Sequence, residues 1–579
     1  MKNFFGNIKN NKYIHYLLIL LAATIAAIPL IKLRIYGTDD GFIHILRIMG
    51  VEDILKSGTF PPFINQAYCN GFGYAINVFY PPIVTYAPLL FRLILSSYSN
   101  CLKIYTYITI MISGFTMYQF VKELSDRREI ALLSAVIYIL IPYRLETIYN
   151  RFAIGEFSAY MFIPLVFLGL HNLLYGDKKK HYYITIGAVG LMLTHTLTTE
   201  YTAIFAIVYL LLNAYKIKNK EVIKKIIINI IFILLISAFF LVPLLEYRLH
   251  SEYTIFSADA MQYRGKDVAR TTISLIQLFK DTEPNGVSFI LGIPFIILIL
   301  LGIVTFRKMT NQDKSNCIAF LVIAMISLFM TTRFFPWSIM PNCISTMQFA
   351  WRMLAFFEFA MAVFCGYNVF TVITMISNSK DNWLSGLLLI LSVILITITM
   401  AKIDYNYKYE EQKQLSDIEY EDWIKSKDKI SPYSINREYL PYSTKGNLKT
   451  YTLQREDRAY IISGEADILE QNKNNLTFSL TAENVSDGAI IELPFFNYPG
   501  YTVLIENNNT KQKVDYHESE FGFIEITIPE QMKNVKIDVK YTGTVIEKLS
   551  YVISIISAIL FIVYLLYIKR KDKLNDKKP

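Results

Sequence analysis

The sequence predicts a polytopic α-helical membrane protein of about twelve spans with a β-sandwich on the outer face near its C-terminus. Three observations predict it. Of the 579 residues, 53% are hydrophobic and 15% aromatic, and the mean hydropathy is positive, a composition soluble domains do not reach. Apolar runs long enough to cross a bilayer alternate with short basic clusters. From 403 to 548 the chain turns polar and Asn-rich, with apolar residues at every second position.

The spans are expected at 16–34, 101–121, 130–148, 157–176, 182–197, 199–215, 224–245, 288–306, 316–332, 353–376, 383–402 and 549–568. Lysines and arginines gather between them at 178–180, 216–225, 307–308 and 569–578. Such clusters mark cytoplasmic loops, which places both termini inside the plasma membrane. The apolar piece from Pro81 to Leu95 is the ambiguous one. Counting it as a span would invert every later basic loop, so it is assigned to a juxtamembrane helix on the outer surface. The organisation is then a multi-span domain over 1–402 with an outer loop at 33–100, an outer sandwich over 403–548, and a C-terminal anchor with a basic tail over 549–579.

In the outer domain Val535, Ile537, Val539 and Tyr541 interleave with Lys536, Asp538 and Lys540, and Ile524, Ile526 and Ile528 flank Glu525 and Thr527. This is strand periodicity, and Tyr498-Pro-Gly-Tyr501 supplies a turn. The net charge of +9 does not indicate nucleic acid, because the excess sits in the loop clusters facing anionic lipid. The five cysteines, at 69, 101, 317, 343 and 365, show no metal-ligand spacing.

The first outer loop opens with Thr38-Asp39-Asp40-Gly41, followed by an apolar stripe of Phe42, Ile45, Leu46 and Met49 that ends near Lys56-Ser-Gly58. An amphipathic helix on the membrane interface is expected there. One of the three acceptor residues suffices to cap it, which leaves acids over. Asp40, His44 and Arg47 share a helical face by spacing. A second charged group, Arg144, Glu146, Arg151 and Glu156, lies where the third span emerges and the fourth begins. Each charge at membrane depth costs roughly 2.5–3.5 kcal/mol, so the group either faces a wet cavity or closes on itself as salt bridges. His195 and Arg352 flank outer ends of later spans. The histidine reads as a satisfied polar contact or a base, and the arginine as a phosphate ligand or an interfacial anchor.

Asp39-Asp40-Gly-Phe-Ile-His44 with Arg47, Asn150-Arg151-Phe-Ala-Ile-Gly-Glu156, Leu193-Thr-His195, Gln348-Phe-Ala-Trp-Arg352, Glu438-Tyr-Leu-Pro441 and Tyr498-Pro-Gly-Tyr501 together resemble a family. The chain is similar to the bacterial multi-pass proteins labelled pyruvoyl-tetrahydropterin synthase-related and their YfhO-like relatives, and through them to the C-type (GT-C) membrane glycosyltransferases. Ala350 departs from the pattern, which has proline there. The pterin label implies a zinc-histidine cluster that the sequence lacks, so pterin chemistry is set aside.

The resemblance implies a GT-C-like fold and transfer of a sugar from a polyprenyl-phosphate donor to a cell-envelope glycan, teichoic-type polymer or glycolipid. It places the catalytic acids on Asp39, Asp40 and Glu156, and substrate binding on His44, Arg47, Arg144, Arg151, His195 and Arg352. Asp39 or Asp40 acts as base or as ligand to a divalent cation, Mg or Mn; no motif requires a resident cofactor. A non-catalytic translocator of lipid-linked polymers, or a wall-binding scaffold, is the competing class.

Overall fold

The computed structural model describes residues 12–262, 264–280, 287–377, 416–426, 437–446, 451–452, 454–507 and 510–575. The helices used below are α1 (Lys12–Ala27), α2 (Gly41–Lys56), α3 (Ile83–Leu90), α4 (Tyr98–Ser125), α5 (Arg128–Leu140), α6 (Pro142–Tyr149), α7 (Ile154–Ala159), α8 (Ile163–Leu174), α9 (Tyr182–Met192), α10 (Thr196–Leu212), α11 (Lys220–Ile236), α12 (Ala238–His250), α13 (Asn311–Thr331), α14 (Leu354–Ser377), α15 (Asp417–Lys425) and α16 (Val545–Asn575).

Among the described residues six helical stretches are long and apolar enough to cross a membrane: Lys12–Ile31, Arg128–Tyr149, Ile154–Leu174, Asn311–Thr331, Ala350–Met375 and Val545–Arg570. A seventh is present if α11 and α12, bent by 67° at Ser237, count as one. The expected spans at 182–197 and 199–215 coincide with the shorter helices α9 and α10, and the one at 101–121 with the 28-residue α4. That at 288–306 divides into Ile293–Leu300 and Gly302–Lys308, and 383–402 lies outside the described residues. Helix α3 with its short extension ends at Leu93, too short at 1.5 Å per residue to cross a hydrocarbon core.

Small residues set the helix approach. A Cβ on Gly114 of α4 would lie 2.5 Å from Ile139 of α5 and 2.8 Å from Ile19 of α1, and one on Gly366 of α14 would lie 2.0 Å from Ser134 of α5. Such contacts hold helices together where lipid removes the hydrophobic drive. Proline breaks the third expected span: Pro142 opens α6, and Ile141 before it is extended, at ψ 139°. The amide of Tyr143 exposed by the break donates to Glu358 of α14, 3.0 Å away.

Helix α2 forms where the acid-rich stretch predicts it and stops at Lys56, with Gly58 at φ +74° beyond. It is not an interfacial amphipath. His44, Ile45, Arg47, Ile48, Val51 and Ile54 are all buried, so both of its faces are covered by protein. The polar residues His44 and Arg47 of the expected amphipath are turned inward.

The outer domain is two antiparallel sheets. One has strand order β1-β4-β8-β7 and the other β2-β3-β9-β5-β6, where β1 is Tyr460–Ser463, β2 Asp467–Asn474, β3 Thr477–Val485, β4 Ile490–Phe496, β5 Tyr501–Asn507, β6 Thr510–Val514, β7 His517–Glu518, β8 Phe523–Thr527 and β9 Met532–Tyr541. Register pairs Phe478 with Val539 and Leu480 with Ile537. Val535, Ile537, Val539 and Tyr541 are buried while Lys536 and Lys540 are exposed, as the period of two requires. The rings of Phe478 and Phe495 meet edge to face at 6.5 Å between the sheets.

Tyr498-Pro-Gly-Tyr501 does more than turn the chain. Gly500 stands at φ +99°, where a Cβ would meet Tyr541 at 2.8 Å. Tyr498 Oη donates to the Tyr439 carbonyl at 3.0 Å, and Tyr247 Oη of α12 donates to the Pro499 carbonyl at 3.2 Å. The turn therefore ties the sandwich to a membrane helix and to the segment that begins at Glu438.

Candidate functional site

Glu156, at the start of α7, is the hub of a charged cluster. Its Oε2 lies 3.1 Å from Arg151 Nη1 and 3.3 Å from Arg352 Nε, and its Oε1 accepts a 2.6 Å hydrogen bond from Tyr143 Oη. Glu156 and Arg151 are buried, and Arg352 is half-buried. Arg352 Nη1 also donates to the Met347 carbonyl at 2.9 Å and to Gln348 Oε1 at 3.1 Å. The two guanidiniums thus share the single carboxylate of Glu156. Both guanidiniums lie over the Phe349 ring, at 5.9 Å for Arg151 and 5.1 Å for Arg352. The backbone is strained beside each arginine: Phe152 has φ +50° and Gln348 φ +65°.

Asp40 is delivered to this cluster by two backbone bonds, from the Asp39 amide to the Asn150 carbonyl at 3.2 Å and from the Asp40 amide to the Arg151 carbonyl at 2.8 Å. The Asp40 carboxylate does not cap α2. Asp40 occupies the N-cap position without a side-chain cap bond, and Thr38 Oγ1 instead accepts from the Gly41 amide at 3.2 Å. Asp39 is exposed and Asp40 half-buried. Burial raises the Asp40 carboxyl above the usual aspartate range, opposed by Arg151 and Arg352 and assisted by Asp39 and Glu156.

His195 joins the cluster but is occupied. Its Nδ1 accepts from the Thr198 amide at 3.3 Å, capping α10, so the satisfied-contact reading holds for that nitrogen. Gly155 admits it: a Cβ there would meet His195 Cδ2 and the Thr194 carbonyl at 2.9 Å and Tyr80 Oη at 3.1 Å.

His44 and Arg47 lie behind Tyr80 rather than in the cluster. Arg47 sits 3.9 Å over the Tyr80 ring, and His44 meets it edge-on at 5.7 Å. Both His44 nitrogens and Arg47 Nε and Nη1 are buried without hydrogen-bond partners among the described residues. Burial, with Arg47 alongside, holds His44 well below its ordinary pKa and hence neutral. Arg144 is turned away altogether: fully buried, it donates to Ser113 Oγ at 2.7 Å and packs against Tyr138 and Tyr160. Glu146 accepts from Asn150 and from the Ser288 amide.

The structure adds residues that sequence reasoning left without a role. Tyr143 and Tyr80 come to the cluster, and Glu438 is close enough that Arg264, Asp40 and Arg352 all act on its carboxyl, which burial raises. Glu438 was visible as part of a motif. Tyr143, one among 41 tyrosines, carried no signal.

The fit of a divalent cation is poor. Among the described residues no three His, Cys, Asp or Glu side chains converge as a ligand set, and Asp40 already lies in the field of two guanidiniums. The seven histidines likewise form no such group among the described residues.

Comparison with known proteins places the chain. An uncharacterized protein of Lactococcus lactis subsp. cremoris (strain MG1363) is 24% identical over 604 residues, covering 98% of this chain and 97% of its own. Among solved structures, arabinofuranosyltransferase AftD from Mycobacteria aligns over 68% of this chain and 27% of its own, at 13% identity and TM-score 0.46. The Archaeoglobus fulgidus oligosaccharyltransferase in complex with Zn and sulfate aligns over 70% and 56%, at 14% identity and TM-score 0.41. These are distant likenesses, and this chain spans less than two thirds of either solved chain. The model of the 6-pyruvoyl-tetrahydropterin synthase related domain, described as a membrane protein, matches residues 78–407, more than half of the sequence, and the chain belongs to that family.

Proposed function

We propose that this protein is a membrane glycosyltransferase that moves a sugar from a polyprenyl-phosphate donor to a cell-envelope glycan, teichoic-type polymer or glycolipid. In this reading it lies in the plasma membrane with about twelve spans, both termini cytoplasmic, and the sandwich and the cluster outside. The observation that carries it is the half-buried carboxylate of Asp40, unused as a cap, on a residue whose backbone amide donates to the Arg151 carbonyl, beside two arginines that share one glutamate.

The roles follow from that geometry. Asp40 takes the proton of the acceptor hydroxyl as its oxygen attacks the anomeric carbon. The bond from that carbon to the phosphate oxygen breaks, and its electron pair leaves on polyprenyl phosphate. Arg151 and Arg352 neutralise the departing phosphate. Glu156, closed on by two arginines and Tyr143, is a positioning residue that holds both guanidiniums. Asp39, beside Asp40 in the chain, is exposed. Since the donor set does not suit a divalent cation, no step is routed through one.

The bend between α11 and α12 favours a second reading, translocation of lipid-linked polymer through a broken helix. Purified protein in liposomes with a labelled polyprenyl-phosphate sugar and candidate acceptors tests the first. Transfer by the wild type and none by Asp40→Asn supports it; label crossing the bilayer uncleaved supports translocation.

A further inference from the structure

A cavity of about 350 Å³ opens on the other side of α2 from the cluster. At about 100° per residue, Leu46, Met49, Gly50, Asp53 and Lys56 face away from Asp40, His44 and Arg47. The volume is in the range of small-ligand sites. Its charged lining is Asp53, Lys56, Arg92 and Lys425. Arg92 is fixed in place: Nε donates to Glu52 at 2.9 Å, Nη1 donates to backbone carbonyls at Leu95 and Ser96, and Nη2 makes no hydrogen bond among the described residues. The Gln66 side-chain oxygen, also lining the cavity, is buried and has no hydrogen-bond partner among the described residues.

Tyr98, the first residue of α4, lines the cavity, which places the cavity where the sequence expects the span 101–121 to begin. Leu93 and Ile94, which follow Arg92 in the chain, are apolar and 86% and 78% exposed. Alternating cations and bare aliphatic side chains suit a lipid whose phosphate enters the cavity while its tails run over the aliphatic rim. The acid is then accounted for as well, because Asp53 and Gln66 are acceptors for hydroxyl groups.

We propose that this cavity binds an anionic glycerophospholipid with a hydroxylated headgroup, of the phosphatidylglycerol type. Lys56, Arg92 and Lys425 hold the phosphate, and Asp53 and Gln66 receive the glycerol hydroxyls. Because α2 stands between it and Asp40, the lipid bound here is not the reacting one.

The test uses the full chain in nanodiscs of equal phosphatidylglycerol, phosphatidylethanolamine and phosphatidylcholine, with retained lipid read by native mass spectrometry after partial delipidation. No sugar donor is present, so this result and the glycosyltransferase reading stand or fall separately. Phosphatidylglycerol is expected to be retained preferentially, with roughly fivefold loss for each cation removed in Lys56→Gln, Lys425→Gln and Arg92→Gln. Lys56 and Lys425 are surface residues, so their double variant keeps the test informative if Arg92→Gln does not fold. Asp53→Asn is expected to lower the preference for phosphatidylglycerol over phosphatidic acid. Equal retention of the three lipids, or unchanged retention in the double variant, overturns the proposal. Displacement by millimolar sn-glycerol 3-phosphate overturns the lipid as the source of the phosphate.

Discussion

Arg352 Nε lies 3.3 Å from Glu156 Oε2, joining the start of the span Ala350–Met375 to the start of Ile154–Leu174. Ala350 stands two residues before Arg352. Its amide donates to Thr271 Oγ1 at 2.7 Å, a bond that the proline expected at this position could not make.

Glu156→Gln should be structural in effect. Removing the shared carboxylate leaves two guanidiniums facing each other in a buried site, at a cost of about 3–5 kcal/mol. Thermal unfolding in nanodiscs should show a large drop in Tm. An unchanged Tm would mean that water or lipid already compensates those charges.

The two adjacent aspartates should separate. Asp40→Asn is expected to abolish sugar transfer, whereas Asp39→Asn, at an exposed side chain, should retain most of it. Both should fold, because the local cap belongs to Thr38. Thr38→Ala should cost about 1 kcal/mol. Equal loss of transfer in both aspartate variants would refute the assignment.

The pH profile has a definite sign. Transfer needs ionised Asp40, whose carboxyl is raised above the ordinary 3.8 by burial, so activity should rise with pH along a limb displaced upward from that value. Arg151 and Arg352 pull that carboxyl down, and Arg352→Gln should therefore move the limb to still higher pH. For stability the sign is opposite: a raised carboxyl pKa favours the folded state at low pH, and that contribution is lost as pH rises from 3.8 through the folded value. A limb unmoved by Arg352→Gln would detach the arginine from Asp40.

Gly155→Ala probes the packing of the cluster. The new methyl would meet the Thr194 carbonyl at 2.9 Å, which is backbone and cannot swing aside. A loss of about 1–3 kcal/mol is expected, together with reduced transfer. Full stability and activity would show that the backbone there yields freely.

How much was legible follows from the kind of signal. Sheet residues such as Val535 and Ile537 announced themselves by a period of two, because one face of a sandwich is dry and the other wet. The Asp40, Arg151 and Glu156 grouping was legible because charges at membrane depth are costly and need partners. The burial of α2 was not, since its polar residues His44 and Arg47 mimic a solvent face while packing under Tyr80. The displacement of Arg144 was hidden for a related reason. Pro142 breaks the helix, and the resulting turn points Arg144 at α4 while its neighbours face the cluster. Tyr143 and Glu438 gain meaning only from contacts distant in sequence.

The central claim is that the donor bond breaks at this site. In liposomes carrying labelled polyprenyl-phosphate sugar and acceptor, free polyprenyl phosphate should appear in proportion to sugar transferred, and neither should appear with Asp40→Asn. Donor that crosses the bilayer intact, with no polyprenyl phosphate released and no acceptor modified, would contradict the claim.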